Sequence, residues 1–261
     1  MPDLIQFEVK DSIARITLNR ADRRNALTRD MIADLTRSVA AASSDESVRM
    51  LTIAAEGTVF CAGMDLGEMQ KRAKSPDADD EWLQDSQDYA ELLVAILNAP
   101  FPVVAVVQGP VLAGGVGIVL ACDLVLASDK SFFALPEPQR GITAAMVTPL
   151  LNFRVGAGHA SHLLLTASRI PAVDTVAWGL CHKVVPADQL DKAECDLAGM
   201  ILASSRQALH ATKHNIRSFA ATPLIEQLHI AARASAAARE TDDAREGLQA
   251  FLEKRKPDWQ P

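Results

Sequence analysis

The stretch that decides the fold is VVAVVQGPVLAGGVGIVLACD, residues 103–123. Its first five residues are small and mostly β-branched, which is typical of a buried strand, and Gly109 and Pro110 end that strand. The small residues Ala113 to Gly117 then open an apolar helix. Because glycine permits close approach to the backbone and the first N–H groups of a helix are free, this turn is predicted to contact a ligand atom.

A similar strand, small-residue loop and helix are predicted earlier, at residues 49–70, where a strand at 49–54 precedes the loop Glu56–Leu66. Before it, Ile5–Val9 and Ile13–Leu18 alternate as in a hairpin, and Thr28 is placed to cap a helix that runs to about Ala42. The recurrence predicts an α/β fold with functional loops at equivalent ends of its strands.

The remaining chain supplies further elements in order. Residues 70–81 are polar and are predicted to form a mobile surface loop, and Trp82–Asn98 has helical spacing. Further strands are expected at residues 124–127 and 131–134. From Thr148 onward the pattern is almost wholly helical, apart from one late strand expected at residues 180–185.

Composition limits the functional classes. The chain has 261 residues, is 49% apolar and carries a net charge of −7, which argues against general nucleic-acid binding. No apolar run reaches the ~20 residues of a membrane span and no signal peptide begins the chain, so we expect a cytoplasmic protein without a membrane partner. The four cysteines lack metal-ligand spacing, and packing roles are expected for them.

Six short motifs follow one another along nearly the whole chain. They are found at Asn19–Leu27, Phe60–Leu66, Gln108–Asp123, Arg169–Ala172, Gly179–Pro186 and Phe251–Arg255. In this order they resemble the enoyl-CoA hydratase/isomerase, or crotonase, superfamily. The resemblance implies an α/β fold, a crotonase-like spiral of ββα units, with a C-terminal helical region that mediates oligomerisation.

The resemblance also implies a division of the chain and an assembly. Residues 1–195 would form the ββα core, and residues 196–261 a helical region that packs on the core and on a neighbouring subunit. A homotrimer or homohexamer is the expected assembly. The implied partner is an acyl-CoA thioester, so coenzyme A enters as part of the substrate and no permanently bound cofactor or metal is expected.

The catalytic groups implied by the resemblance are the backbone N–H groups of Met64 and Gly114 and the carboxyl group of Glu137. Forming an enolate from a thioester moves negative charge onto the carbonyl oxygen, and two fixed N–H donors stabilise that charge in an oxyanion hole. A general acid–base group must also move a proton at the adjacent carbons, and Glu137 is placed for this role.

Two features depart from the family pattern. The family's second catalytic glutamate would fall at Gly117, and residues 142–147 do not reproduce its glycine-rich loop. Two carboxylates suit the hydration of a 2-enoyl-CoA to a 3-hydroxyacyl-CoA, which is the nominal activity, whereas Glu137 alone suits an enoyl-CoA isomerase. Hydrolysis or decarboxylation of another acyl-CoA and non-catalytic acyl-CoA binding also stay open.

Binding of the coenzyme A thioester is assigned to several further positions by the same resemblance. They are Arg23, Arg24, Ala26, Ala62, Asp65, Leu66, Phe251 and Lys254. Asp65 also stands where a helix cap is expected. Arg140 lies close to Glu137 in the sequence, and if it faces the pocket it would hold Glu137 ionised or recognise a second carboxylate on the substrate.

Two further sequence features suggest other functional classes. Gly115-Val116-Gly117 suggests a dinucleotide-binding oxidoreductase, but Leu120 stands where the GxGxxG fingerprint needs its third glycine. Histidines at helical spacing, 159 with 162 and 210 with 214, have metal-ligand geometry but no evident carboxylate or thiol partner, so surface or packing roles are expected.

Overall fold

The computed structural model describes residues 3–260, with residues 219–222 described by their backbone alone. The strands are β1 Ile5–Lys10, β2 Ile13–Leu18, β3 Met50–Ala55, β4 Val103–Val107, β5 Val111–Leu112, β6 Leu124–Ser128, β7 Phe132–Ala134, β8 Ile170–Pro171 and β9 Lys183–Val185. The helices are α1 Arg29–Ser44, α2 Leu66–Arg72, α3 Ala78–Asn98, α4 Gly114–Ala121, α5 Thr148–Thr166, α6 Ala172–Thr175, α7 Leu190–Leu202, α8 Arg206–Ala237 and α9 Asp242–Glu253.

The larger sheet has the strand order β1-β2-β3-β4-β6-β9, and the smaller sheet has the order β5-β7-β8. The hairpin of β1 and β2 is confirmed by their antiparallel register, and β2, β3, β4, β6 and β9 run parallel to one another. All five residues of β4 are buried, as the run of small apolar residues predicts. The α/β class is therefore confirmed.

Parallel pairing places the loops that follow β3 and β4 at the same edge of the larger sheet. Helix α1 begins as predicted, because the Thr28 hydroxyl accepts a hydrogen bond from the Met31 N–H at 3.2 Å. Helix α4 begins at Gly114, where the small-residue run predicts it. The late strand is confined to Lys183–Val185, and β8 was not predicted.

The prediction of a mobile loop at residues 70–81 is wrong. Helix α2 continues to Arg72 and α3 already begins at Ala78, so only a short turn separates them. Asp65 caps α2, since its Oδ1 accepts hydrogen bonds from the N–H groups of Gly67 and Glu68 at 2.9 and 3.1 Å. The many charged residues in this segment suggested a loop. Instead, Arg72 of α2 forms ion pairs with Glu81 and Asp85 of α3, and these pairs stabilise the two helices together with the cap at Asp65.

The C-terminal helices fold back over the rest of the chain. Helix α8 packs along α3, and α9 packs on the turn Glu137–Arg140. The second contact is very close, because a Cβ on Gly247 would lie 2.2 Å from the Arg140 carbonyl oxygen. Helix α7 spans the predicted boundary between residues 195 and 196, and the division into two regions stays a prediction.

The cysteines are free thiols, of which Cys61, Cys122 and Cys181 are buried and Cys195 is exposed. Within residues 3–260, no helix combines the length and hydrophobicity that a bilayer span needs. The same part of the chain contains no cluster of three or more histidine, cysteine or carboxylate side chains arranged to hold a metal ion. His159 instead stacks on Trp178, with ring centroids 4.3 Å apart.

Candidate active site

The loops that follow β3 and β4 are joined by backbone hydrogen bonds. The Leu112 N–H donates to the Cys61 carbonyl at 2.9 Å, and the Phe60 N–H donates to the Pro110 carbonyl at 3.0 Å. Met64 pairs with Leu27 through a parallel bridge on the other side of the first loop. These bonds bring the two predicted oxyanion residues, Met64 and Gly114, to one place.

The N–H groups of Met64 and Gly114 are free donors, since within residues 3–260 neither donates to another protein atom. Gly114 is the first residue of α4, so its N–H has no partner inside the helix. It follows Ala113, which has φ +51° and ψ −127°, a strained conformation for a residue with a side chain. This strain turns the chain from β5 directly into α4.

Close packing at Gly63 holds the two loops together. Gly63 has φ +86°, and a Cβ there would lie 2.6 Å from the Ala113 Cβ and 3.4 Å from the Gly114 nitrogen. Only glycine adopts this backbone conformation freely and leaves room for the second loop. The spacing of the two free N–H groups therefore depends on the absence of a side chain at Gly63.

Glu137 begins a single helical turn after β7 and is 7% exposed. Its Oε2 atom is buried without a hydrogen-bond partner. Burial raises the pKa of Glu137 to about 7, while its own backbone N–H, Arg140 and Arg239 favour the ionised form. A carboxyl group with this pKa can both accept and donate a proton near neutral pH.

Glu137 and the two oxyanion residues line one cleft, and the empty space in and in front of it, open solvent included, amounts to about 580 Å³. The remaining lining is mostly apolar, with two cations and one phenol. It consists of Leu66, Met69, Tyr89, Ala113, Arg140, Ile142, Thr143, Ala144, Ala145, Met146, Val147, Ser235 and Arg239.

Tyr89 occupies the space beside Gly117, where the family pattern has a second glutamate. A Cβ on Gly117 would lie 2.3 Å from the Tyr89 hydroxyl oxygen, so this site has no room for a carboxylate. The Tyr89 hydroxyl donates to the Gly114 carbonyl, and burial raises its pKa, which keeps the phenol protonated. Sequence reasoning missed this residue, because α3 and α4 meet only through the tertiary fold.

Arg140 faces the cleft, as one interpretation of its position predicted, and its guanidinium carbon lies 4.5 Å from the centroid of the Phe251 ring. Arg239, just after α8, was not predicted. It reaches the same cleft, donates to the Ser86 hydroxyl at 2.8 Å and lies over the Trp82 ring. An arginine that follows an alanine-rich helix gives no local signal of this placement.

Most of the residues predicted to bind coenzyme A are outside the lining of this cleft. Arg23 and Arg24 are exposed, and the Arg24 carbonyl accepts a hydrogen bond from the half-buried Ala62 at 3.0 Å. The Ala26 carbonyl accepts from Arg20 at 2.9 Å, and the same guanidinium donates to Asp65 at 2.6 Å. Asp65 is thereby engaged in a cap and an ion pair.

Leu66 begins α2, whereas Phe251 and Lys254 lie at the end of α9. Leu66 lines the cleft, while Phe251 is 47% exposed and contacts Arg140 on the outer side of α9. Lys254 ends α9 in the left-handed conformation, with its N–H bonded to the carbonyls of Ala250 and Phe251. The contact with Arg140 therefore joins Phe251 to the turn that carries Glu137, and Lys254 lies at the adjacent end of α9.

The sequence profile that describes enoyl-CoA hydratases and isomerases matches residues 8–261. The chain belongs to the enoyl-CoA hydratase/isomerase family. A mitochondrial relative from Rattus norvegicus, enoyl-CoA hydratase domain-containing protein 3, is 32% identical over 258 residues, which are 99% of this chain and 85% of that protein. This family membership confirms the resemblance and identifies the chain as an enzyme of the family.

Solved structures agree with the family and confirm the crotonase fold. An enoyl-CoA hydratase from Mycobacterium avium has a TM-score of 0.87 and 32% identity, with 100% of both chains covered. A carnitinyl-CoA hydratase from Mycobacterium avium has a TM-score of 0.85 and 28% identity, with 100% of this chain and 99% of that chain covered. The dinucleotide-binding alternative requires a different fold and is wrong.

Proposed function

We propose that this member of the enoyl-CoA hydratase/isomerase family transfers protons on acyl-CoA thioesters through an enolate. Glu137 is the acid–base group, and the N–H groups of Met64 and Gly114 bind the thioester oxygen. One observation carries the proposal: the unpartnered, buried carboxyl oxygen of Glu137 lines the same cleft as two free backbone donors.

The chemistry follows from these three groups. When Glu137 removes a proton from C2 of the acyl group, the electron pair moves onto the thioester oxygen. Each fixed N–H donor lowers the energy of that oxyanion, by roughly 3–4 kcal/mol in a site shielded from water. Because the donors are backbone groups, the apolar side chain of Met64 does not interfere with this role.

We propose double-bond migration between 3-enoyl-CoA and 2-enoyl-CoA as the reaction. Glu137 takes a proton from C2 of the 3-enoyl thioester and returns it to C4, so that a single carboxyl group completes the cycle. The contact between Tyr89 and Gly117 supports this choice, because it leaves no space for the second carboxylate that would hold a water molecule.

Hydration of a 2-enoyl-CoA is the second candidate, and the names of the relatives favour it. In this reaction Glu137 takes a proton from water and gives one to C2, while the hydroxide adds to C3. The family's second glutamate is replaced by glycine here, so water would be held by Glu137 and other polar groups of the cleft.

Product analysis separates these reactions. The purified protein is incubated with a 3-enoyl-CoA and, separately, with the matching 2-enoyl-CoA in water that carries an oxygen label. The 3-enoyl-CoA should give 2-enoyl-CoA without the label. Label from the oxygen of water in a 3-hydroxyacyl product would instead establish hydration. Binding of both thioesters with no turnover would leave the chain as a non-catalytic acyl-CoA binder and would overturn the proposal.

The rate should depend on pH through Glu137. Its pKa is raised to about 7 by burial, and catalysis begins with the ionised carboxylate. We expect kcat/KM to fall about tenfold for each pH unit below 7 and to level off above it. A profile that is flat between pH 5 and 8, with the protein still folded, would show that another group limits the rate.

We propose that coenzyme A enters beside Arg23, Arg24 and Ala62, with Phe251 and Lys254 at the mouth of the cleft. The exposed arginines support this path, because a cation at the surface can approach a phosphate without prior desolvation. We also propose a homotrimer or homohexamer. Large apolar side chains are exposed on the helices, among them Phe153, Leu165, Met200 and Ile230.

A further inference from the structure

Two arginines line the cleft on the side of Glu137. Among the described residues, the charged ones that line the cleft are Glu137, Arg140 and Arg239. The neighbouring wall is formed by apolar side chains such as Ile142 and Met146. An apolar acyl chain needs no cation in its pocket. These two guanidinium groups therefore require an explanation in the substrate or in the protein.

The protein supplies no close carboxylate to either arginine. Within residues 3–260, neither Arg140 nor Arg239 forms an ion pair within 4 Å. Arg239 contacts the Ser86 hydroxyl and the Trp82 ring, which are neutral, and Arg140 contacts the Phe251 ring. Their contacts orient the guanidinium groups but leave the charges without a close anion.

The nearest carboxylates do not neutralise the pair. Asp85 attracts Arg239 from a distance, but it forms its own ion pairs with Arg29 and Arg72. Glu137 also lies near both arginines, yet its pKa is raised because desolvation outweighs their attraction. Desolvation likewise lowers the pKa of Arg140, and it lowers the pKa of Arg239 to about 10. Because two guanidinium groups and one carboxyl group line the cleft, it carries a net positive charge at neutral pH.

We propose that the substrate's acyl group ends in a carboxylate, which Arg140 and Arg239 bind at the side of the cleft remote from the thioester. The substrate class is then enoyl-CoA thioesters of dicarboxylic acids. This inference rests on the proposed function, since it places the thioester oxygen at Met64 and Gly114. A guanidinium group suits this role because it binds carboxylates in a planar, directional manner.

Calorimetric binding tests the inference without requiring turnover. Saturated carboxyacyl-CoA thioesters from succinyl to adipyl are each compared with the uncharged acyl-CoA of the same carbon number. We expect at least one carboxylated thioester to bind about tenfold or more tightly than its neutral counterpart, as charge-assisted hydrogen bonds typically allow. A neutral ligand that binds as tightly at every length would overturn the substrate class.

Substitutions assign the preference to the two arginines. Arg140→Gln and Arg239→Gln should each reduce the ratio of the two dissociation constants by about tenfold. Arg37→Gln is the matched control, because Arg37 is exposed on α1 and pairs with Asp34 away from the cleft. Arg239→Lys retains the charge and should preserve part of the preference. Thermal unfolding of each variant identifies any loss of folding.

The source of the bound anion is tested with free coenzyme A and adenosine 3′,5′-bisphosphate. If the arginines bind phosphates of coenzyme A, both ligands will weaken in Arg140→Gln and Arg239→Gln as much as the thioesters do, and the inference is overturned. If only the carboxylated thioesters weaken, the acyl carboxylate is the partner. Failure of this inference leaves the product analysis unaffected, so the two proposals fail separately.

Discussion

Glu137→Gln is expected to lower kcat for the acyl-CoA reaction by about 10³-fold, because a positioned acid–base group contributes roughly 10²–10⁴-fold. The substitution keeps the shape of the side chain but removes the group that exchanges a proton with the acyl carbon. Initial rates with a 3-enoyl-CoA measure the effect. Binding of a saturated acyl-CoA, followed by calorimetry, should be retained because the N–H donors at Met64 and Gly114 are unchanged.

The stability of this variant separates lost chemistry from lost folding. Since the folded pKa of Glu137 is raised from 4.5 to about 7, its contribution to stability is fully present below pH 4.5 and is lost as the pH rises through 7. At pH 8 the glutamine variant should therefore unfold at a temperature equal to or above that of the unsubstituted protein. Glu240→Gln, at an exposed position, is the control. Equal kcat in both variants would exclude Glu137 as the acid–base group.

Gly63→Ala is expected to lower kcat/KM by about 10²–10³-fold, the loss typical when one oxyanion donor is misplaced. The added Cβ would lie 2.6 Å from the Ala113 Cβ, and alanine would be strained at φ +86°. Relief of this contact must move the Met64 loop away from Gly114. Steady-state kinetics, together with calorimetric binding of the thioester and of free coenzyme A, would show that the thioester interaction is affected most.

Gly158→Ala is the control for this substitution. Gly158 is exposed within α5, and a Cβ there would have no atom within 4 Å. We expect this variant to keep its activity and to be slightly more stable, because alanine restricts the unfolded chain. Unchanged kinetics in a folded Gly63→Ala protein would mean that the separation of the two loops does not control the reaction.

Local patterns were sufficient to predict the frame of the site. The period of the hairpin, the cap at Thr28 and the small-residue run before Gly114 each act within a few residues, and the structure confirms them. The order of the motifs also placed Met64 and Glu137 in one functional group. The structure agrees with that placement, because Met64, Gly114 and Glu137 line one cleft.

Contacts between distant segments could not be predicted in this way. Tyr89 reaches Gly117 because α3 packs on α4, and Arg239 reaches the cleft because α8 folds back along α3. The sequence around Tyr89 or Arg239 contains no local pattern that predicts a position in the cleft. The prediction of a loop at residues 70–81 was wrong for a related reason, since Arg72 of α2 forms an ion pair with Glu81 of α3.

Exchange of the C2 protons of a saturated acyl-CoA in heavy water, followed by nuclear magnetic resonance, tests the central claim most directly. A saturated thioester, butanoyl-CoA or glutaryl-CoA, can form the enolate but has no double bond to move or hydrate. We predict that the protein exchanges these protons and that Glu137→Gln lowers the exchange rate by about 10³-fold. Exchange at the same rate in the two proteins, or no exchange by a protein that turns over enoyl-CoA, would contradict the account.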